Sequence, residues 1–583
     1  MRGQPTHAPV PQRRRTATTN DRITGVLLGA IGLLGVLWLR CVWLQVVDFQ
    51  GLAQKAAAQY RATETLRAPR GTIMDRNGRP LAMSVAVPSV YANARQVTTK
   101  RELAQQLAGL VDGDSKRIHR QLQRDKGFVW VARQVNPDLT PKLLELRDSG
   151  VGTVEELKRV YPHGGLAGHV LGFVNIDHRG LEGLELAFNG MLQGQDGWRG
   201  TLRDAKGDLL IGPWTSQADP EPGHDMVLTL DAVVQQVAEE ALDWGVKKYR
   251  AKGGSVVVMD PYTGALWAVA NSPTYDPNDP ANAPSDARRN RAVTDLFEPG
   301  SIFKIVAASA LLEEHRITPD EVIFCEEGSF HTIGRHVLHD HRPHGALSFH
   351  DVIRLSSNIG TSKAAQRLTP DELYAYIRAF GFGQKTGVDL PGEISGMIAP
   401  PSRWSGLSPF IIPIGQEVAT TPMQLAVMTA VVANGGSRVR PHIVERIVSP
   451  SGDTVWAPDL PAPVRILSPE TISPLQAMLR DVVESGTGQL AKIQGLTVAG
   501  KTGTAQKLEP NGRYSHSRYI ASFVGFGPVP DSRFVIVVSV DEPRPTYFGG
   551  VVAAPIFKRI VEQLAGYWEL DRPSPSPVMA QLP

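Results

Sequence analysis

The stretch "ITGVLLGAIGLLGVLWL" runs from Ile23 to Leu39 without a charge, and after Arg40 the apolar character resumes as "CVWLQVV". No other feature limits the fold so strongly. In hydrocarbon a backbone must satisfy its own donors and acceptors, so an apolar run of about 20 residues reads as a membrane-spanning helix. Arg40 can snorkel to the interface, where Trp38 and Trp43 would sit as amphipathic anchors, so its charge does not break the span. The span is placed at residues 23–47. Arg2, Arg13, Arg14, Arg15 and Arg22 precede it and few basic residues follow closely. The positive-inside bias then leaves residues 1–22 as a cytoplasmic tail and everything after Val47 outside the cell membrane. A cleaved signal peptide is the competing reading, and the length of the run and the lack of a small-residue cleavage site directly after it argue against that.

A chain of 583 residues is too long for one ordinary core, which predicts two or more domains beyond the span. Charged residues make up 20% and apolar ones 42%, a globular balance, and a net charge of +3 is too mild for a nucleic-acid surface. Cys41 and Cys325 are the only cysteines, one at the membrane face and one deep in the chain, so neither a disulfide framework nor a cysteine metal site is expected.

From Asp48 to Gly223 the pattern is mixed, with helical stretches such as "RELAQQLAGL" between Gly- and Pro-bearing turns, and "QADPEPGHD" reads as a hinge. Beyond it "MVLTLD" alternates like a strand and "AVVQQVAEEALDWGVKKY" has helical periodicity. "GGSVVVMDPYTGALWAVANS" and "RYIASFVGFGPVPDSRFVIVVSVDE" each read as two strands about a turn, and "APIFKRIVEQLAGYWEL" as a closing helix. The Pro- and Ser-rich end, 571–583, is expected to be a disordered tail.

In "FEPGSIFKIVAASALLEEHR" a helix apolar on nearly every face, and therefore buried, begins near Ser301 and Lys304. At i and i+3 these two share one face at the helix N-terminus. A lysine that loses hydration there has a lowered pKa, and its neutral amine can take the serine proton. Ser356, Ser357 and Asn358 follow in "RLSSNIGTSKAAQ", where a hydroxyl and an amide suit a proton relay and a hydrogen bond to a peptide. Lys-Thr-Gly occurs twice. Lys385–Gly387 stands in the turn-rich "GFGQKTGVDLPGE" and reads as a turn. Lys501–Gly503 continues "LTVAG" and reads as a strand whose neighbours are expected at Tyr519–Gly525 and Phe534–Val540. There Lys501 and Thr502 can hold a carboxylate, Gly503 can let a ligand backbone approach, and the Thr504 N–H can face an oxyanion.

Each motif is weak alone, but the order Ser-x-x-Lys, Ser-x-Asn, Lys-Thr-Gly is that of penicillin-binding proteins and class A β-lactamases, with Ser357 where those carry Asp. "RGTIMDRNGRPLA" at Arg70, "RVYPHGGLAGHVLGFV" at Arg159, "GLEGLE" at Gly180, "GQEVATTPMQLA" at Gly415 and "FGGVVAAPIFK" at Phe548 extend the resemblance, to class B penicillin-binding proteins, from the span to Leu570.

The resemblance implies an α+β multidomain protein: the anchor helix, a non-catalytic pedestal at 48–223, and at 224–570 a transpeptidase domain of serine β-lactamase type. That domain would carry a five-stranded antiparallel sheet flanked by helices and a largely helical part bearing Ser356. It further implies a peptidoglycan D,D-transpeptidase with no cofactor, whose Ser301 attacks the penultimate D-Ala carbonyl of a stem peptide and is acylated by β-lactams. Lys304, Ser356, Asn358 and Lys501 would act with it, and Thr502, Gly503 and Thr504 would bind substrate. The glycosyltransferase motif of bifunctional relatives is absent, so a SEDS-family glycosyltransferase and other division-complex membrane proteins are the partners implied. The "EPGS" form resembles the septal branch more than the elongation branch. A β-lactamase would need a deacylating glutamate motif after Asn358, and none follows. A D,D-carboxypeptidase rarely has so long a pedestal, and an inert scaffold would not need the intact triad. The histidines crowded between His331 and His350, with His339, His341 and His344 closest together, are read as surface or packing residues rather than metal ligands, as is His169.

Overall fold

The computed structural model of the chain describes residues 19–50, 52, 61–124, 126–203, 209–210, 217–334, 336–509 and 512–570. Most of the expected cytoplasmic tail and the expected disordered tail lie outside the described residues. The chain forms two compact units, Met1–Leu66 with Asp196–Asp219, and Arg67–Gln195 with Pro220–Pro583.

In the first unit α1 (Thr19–Val42) runs into a π-helical turn, Trp43–Val47. Together they give one helix, Arg22–Val47, long and apolar enough to cross a membrane, with its leucines and Trp38 exposed. The same unit holds a small sheet in which Arg61–Leu66 pairs antiparallel with Gly197–Arg203.

Among the described residues the second unit has two large sheets and four two-stranded ones. In one, Ile73–Met74 lies beside Asp225–Leu228 in parallel and beside Pro80–Ala92 antiparallel, and Val151–Val160 pairs along Pro80–Ala92. The strand read in "MVLTLD" thus joins the pedestal sheet, not the catalytic one, because its outer neighbours are Ile73–Met74 and Val444–Val448. Three of the motifs that carried the resemblance meet here: the Glu185 carboxylate, fully buried, accepts from Arg70 Nε at 2.5 Å and Arg159 Nε at 2.7 Å. Arg159 also donates to the Gly71 carbonyl at 2.8 Å.

The second sheet consists of β1 (Gly253–Met259), β2 (Leu266–Ser272), β3 (Ala499–Leu508), β4 (Tyr514–Gly527) and β5 (Phe534–Asp541), in the spatial order β2-β1-β5-β4-β3 and antiparallel throughout. Both faces are covered, which is why "GSVVV" is apolar without alternation. Val256 and Val258 point into a core shared with α2 (Ala232–Lys248), while Val257 and Met259 point into a second core shared with helices on the opposite face. Those helices are α3 (Lys304–Glu313), α4 (Asn358–Ala365), α5 (Pro422–Ala433) and α6 (Pro469–Glu484). Every residue of α5 is buried. The closing helix α7 (Gly549–Leu564) packs beside α2 on the first core. The segment carrying Lys501 is therefore a rim strand of this sheet: β3 pairs with β4, and β5 lies one strand further in.

Candidate active site

The rim strand, the start of α3 and the start of α4 converge. Ser301 lies in a 3₁₀ turn, Gly300–Phe303, and Lys304 is the first residue of α3, so the expected helix begins three residues later than the apolar pattern implied. The tighter turn stacks i over i+3 and keeps serine and lysine on one side. Gly300 has φ +53°, and a Cβ there would meet the Thr504 carbonyl at 3.0 Å, so the Ser301 turn can lie against β3 only with glycine at its head. Its N–H donates to the Gly415 carbonyl at 3.2 Å.

Gly503 serves the same approach from the strand side. A Cβ on it would meet Ser522 Oγ at 2.4 Å, Ile302 Cδ1 at 2.9 Å and the Pro299 carbonyl at 2.9 Å. The open side of this glycine is thus filled by the Ser301 turn, where the sequence reading had put an incoming ligand backbone.

The centre of the cluster is the Ser356 hydroxyl. Lys501 Nζ donates to it at 2.8 Å, and Lys304 Nζ at 3.2 Å. Lys304 also donates to the Ser356 carbonyl at 2.6 Å and to Asn358 Oδ1 at 2.8 Å. Ser356 is held with φ +63°, a left-handed conformation that costs a non-glycine residue about 1–3 kcal/mol and persists only where the surroundings impose it. Both lysines are fully buried. Burial pulls the Lys304 pKa from 10.5 to about 7 against the opposing pull of Asp340, and burial together with the positive charge of Lys304 holds Lys501 well below its ordinary value. A neutral amine at this point is a competent base near neutral pH.

Asp340 went unnoticed in the sequence, where it sits among histidines. Its carboxylate accepts from Ser357 Oγ at 2.6 Å and from the backbone N–H groups of Asn358 and Ile359, fixing the start of α4. Ser357 in turn caps α4 by accepting from the Gly360 N–H at 2.9 Å. Asn358 Nδ2 donates to the His339 carbonyl at 2.9 Å, which aims its oxygen at Lys304.

On β3, the Thr502 and Thr487 hydroxyls are 2.8 Å apart, and Thr504 Oγ1 accepts from the Gly549 N–H at 3.0 Å at the head of α7. Ser301 Oγ is partly exposed and makes no hydrogen bond among the described residues. Three residues earlier in the chain, the Glu298 carboxylate accepts from Tyr514 Oη and the Glu417 N–H, each at 2.9 Å. Asp340 had no motif to announce it, whereas Glu298 opens the "EPGS" stretch.

The other Lys-Thr-Gly is a turn. Gly387 has φ +82°, and the Glu393 carboxylate accepts from the Thr386 N–H at 2.7 Å and the Gly387 N–H at 3.2 Å. Of the histidines, His339 contacts Ser329 Oγ at 3.1 Å, His341 packs on Phe548 with ring centroids 4.7 Å apart, and His350 meets Asp481 at 2.9 Å. His169 is buried, 2.7 Å from the Ala287 carbonyl. Cys325 is buried and Cys41 exposed on α1.

Comparison with known proteins agrees with this arrangement. Residues 254–562 match the penicillin-binding protein transpeptidase domain, and residues 65–228 the penicillin-binding protein dimerisation domain. The chain is 34% identical over 557 residues to the probable peptidoglycan D,D-transpeptidase PenA of Neisseria meningitidis, covering 94% of this chain and 93% of that one. It is 33% identical over 549 residues to the peptidoglycan D,D-transpeptidase FtsI of Escherichia coli, covering 92% and 89%. The crystal structure of penicillin-binding protein 3 of Mycobacterium tuberculosis, complexed with aztreonam, superposes with a TM-score of 0.69 at 30% identity, over 87% of this chain and 98% of that one. With a motif cluster, a two-sheet architecture and near full-length similarity in agreement, the chain belongs to the class B penicillin-binding proteins.

Proposed function

We propose that this protein is a serine D,D-transpeptidase that cross-links peptidoglycan stem peptides and is covalently inhibited by β-lactams. The observation that carries the reading is the convergence of Lys304 and Lys501 on one hydroxyl, that of Ser356, beside the Ser301 turn.

In the mechanism, Ser301 Oγ attacks the carbonyl of the penultimate D-Ala. Neutral Lys304 takes its proton, and Asn358 Oδ1 and the Ser356 carbonyl hold the resulting ammonium in place. The backbone N–H groups of Ser301 and Thr504 receive the developing oxyanion, and one such donor is worth about 3 kcal/mol of barrier. The proton passes from Lys304 through Ser356 Oγ to the departing D-Ala amine, the C–N bond breaks, and the acyl group stays on Ser301. An amine from a neighbouring strand then attacks, gives its proton back through the same relay, and frees Ser301. Lys501 and the Thr502 hydroxyl, the latter oriented by Thr487, face the terminal carboxylate of the donor peptide.

The chain further reads as anchored by residues 23–47 with its N-terminus in the cytoplasm of an inner-membrane protein, a pedestal at 48–223 and a catalytic domain at 224–570. A septal role in division is supported by the similarity to FtsI, and the lack of a glycosyltransferase motif supports a SEDS-family partner for strand polymerisation.

The test is intact-mass spectrometry of the protein with benzylpenicillin, followed over hours with the adduct mapped. A lasting adduct on Ser301, absent in Ser301→Ala, is expected. An adduct that clears rapidly would indicate a β-lactamase instead, and no adduct would indicate a scaffold.

A further inference from the structure

The lysine of the first Lys-Thr-Gly copy lines a cavity of about 270 Å³ outside the site described above. Phe380, Val427 and Val439 form apolar parts of its wall, its charged lining residues are Lys385, Arg438 and Arg440, and among the described residues no carboxylate lines it. The acidic side chains nearby in sequence are turned to other tasks: Glu393 caps the Thr386–Gly387 turn, and Asp389 accepts from the Ile443 and Val444 N–H groups at 2.7 and 2.8 Å.

The arginines are fixed without being neutralised. Arg438 Nη1 donates to the Ala379 carbonyl at 2.7 Å. Arg440 Nε donates to the Gly387 carbonyl at 2.8 Å and its Nη1 to the Asp459 carbonyl at 3.0 Å. Backbone carbonyls orient a guanidinium but supply no counter-charge, and Nε and Nη2 of Arg438 and Nη2 of Arg440 keep their donors free among the described residues. Lys385 is exposed and has no acceptor among the described residues. Burial lowers the Arg438 pKa, the sign of a charge kept in place with too little solvent and no partner.

Three cations with unspent donors around a half-apolar cavity call for an anion with an organic body. Guanidinium forks match two oxygens of a phosphate, and a lysine adds a point charge. We propose that this cavity binds a phosphate-bearing organic anion, its phosphate on Lys385, Arg438 and Arg440 and its carbon body against Phe380 and Val439. The inference does not rest on the transpeptidase reading.

The experiment is isothermal titration of the full chain in non-ionic detergent with glycerol 3-phosphate, with Lys385→Ala and Lys385→Glu as variants. One saturable site is expected, weakened about fivefold by Lys385→Ala, more than tenfold by Lys385→Glu, and further by added salt. An unchanged far-UV circular dichroism spectrum and Tm show that the variants are folded. Dihexanoyl phosphatidylglycerol binding at least tenfold more tightly than glycerol 3-phosphate would identify a lipid headgroup as the natural source, and equal affinities a soluble or polymeric phosphate. No saturable binding, an unchanged Kd in Lys385→Glu, or equal binding of citrate would overturn the proposal.

Discussion

The pH dependence of acylation follows from the burial of one amine. With its pKa at 10.5, Lys304 would be neutral in only about three molecules in ten thousand at pH 7. At about 7 it is neutral in about half, a gain of about three orders of magnitude in competent base. Acylation of Ser301 by a β-lactam should therefore rise about tenfold between about pH 6 and about pH 8 and level off above that, since each pKa unit is a factor of ten in the base form. Because Lys304 and Lys501 share the Ser356 hydroxyl and repel one another, the midpoint belongs to the pair. Asp340 pulls the Lys304 pKa upward, so Asp340→Asn should move the midpoint to lower pH even where looser capping of α4 lowers the plateau. Stopped-flow acylation with a chromogenic β-lactam, measured as the second-order rate at each pH, reads both quantities. A flat profile from pH 6 to 8, or a rise of about 100-fold over that range that continues past pH 9 without levelling off, as for a solvated lysine, would refute the assignment of Lys304 as base.

Other outcomes follow from packing. Gly503→Ala drives a methyl into Ser522 Oγ, Ile302 and the Pro299 carbonyl and pushes the Ser301 turn off β3, so the acylation rate should fall about 100-fold with little change in helicity by circular dichroism. Glu185→Ala leaves the buried guanidiniums of Arg70 and Arg159 without their carboxylate, and urea unfolding should show a loss of about 3–5 kcal/mol. Burial holds His169 at about 4 instead of 6.5, so below pH 6.5 the unfolded state takes up its proton first; stability falls as pH drops from 6.5 to 4, by about 3 kcal/mol in total, and His169→Gln should flatten that part of the pH–stability curve. Glu393→Ala strands the Thr386 and Gly387 N–H groups, so thermal stability should drop while acylation of the remaining folded protein stays unchanged.

What could be read from the sequence was what depends on local pattern. The span, the strands at "GGSVVVMDPYTGALWAVANS" and the closing helix each announce themselves by period or by length; the first two agree with the observed ranges within a few residues, while the closing helix begins and ends five to six residues before the stretch read for it. That one Lys-Thr-Gly copy lies in a turn and the other on a strand was also legible, because turn residues flank one and a strand former the other. The sheet membership of Asp225–Leu228 was not, since alternation fixes a strand's faces but not its neighbours, and here the neighbours come from Ile73–Met74 and Val444–Val448, far off on either side in the chain. The role of Gly503 was misjudged for a related reason: a glycine in a strand signals a close approach, but the partner that approaches is set by tertiary packing.

Asp340 marks the same limit at the site itself. The second motif carries Ser357 at the place of the aspartate in the Ser-Asp-Asn form of this motif, which in the sequence looks like a lost charge. In the fold a carboxylate lies within hydrogen-bond reach of that very serine, brought from the loop before Phe349, so the charge beside Lys304 is retained while the Ser357 hydroxyl is free to cap α4. The arrangement makes a distinct demand of the pair. Ser357→Asp in an otherwise intact chain would set two carboxylates against each other and should impair acylation, whereas the double change Ser357→Asp with Asp340→Asn restores a single charge at the same place and should recover most of the rate. Additive loss in the double variant, measured in the same stopped-flow assay, would show that Asp340 acts only as a helix cap and not as the electrostatic partner of Lys304.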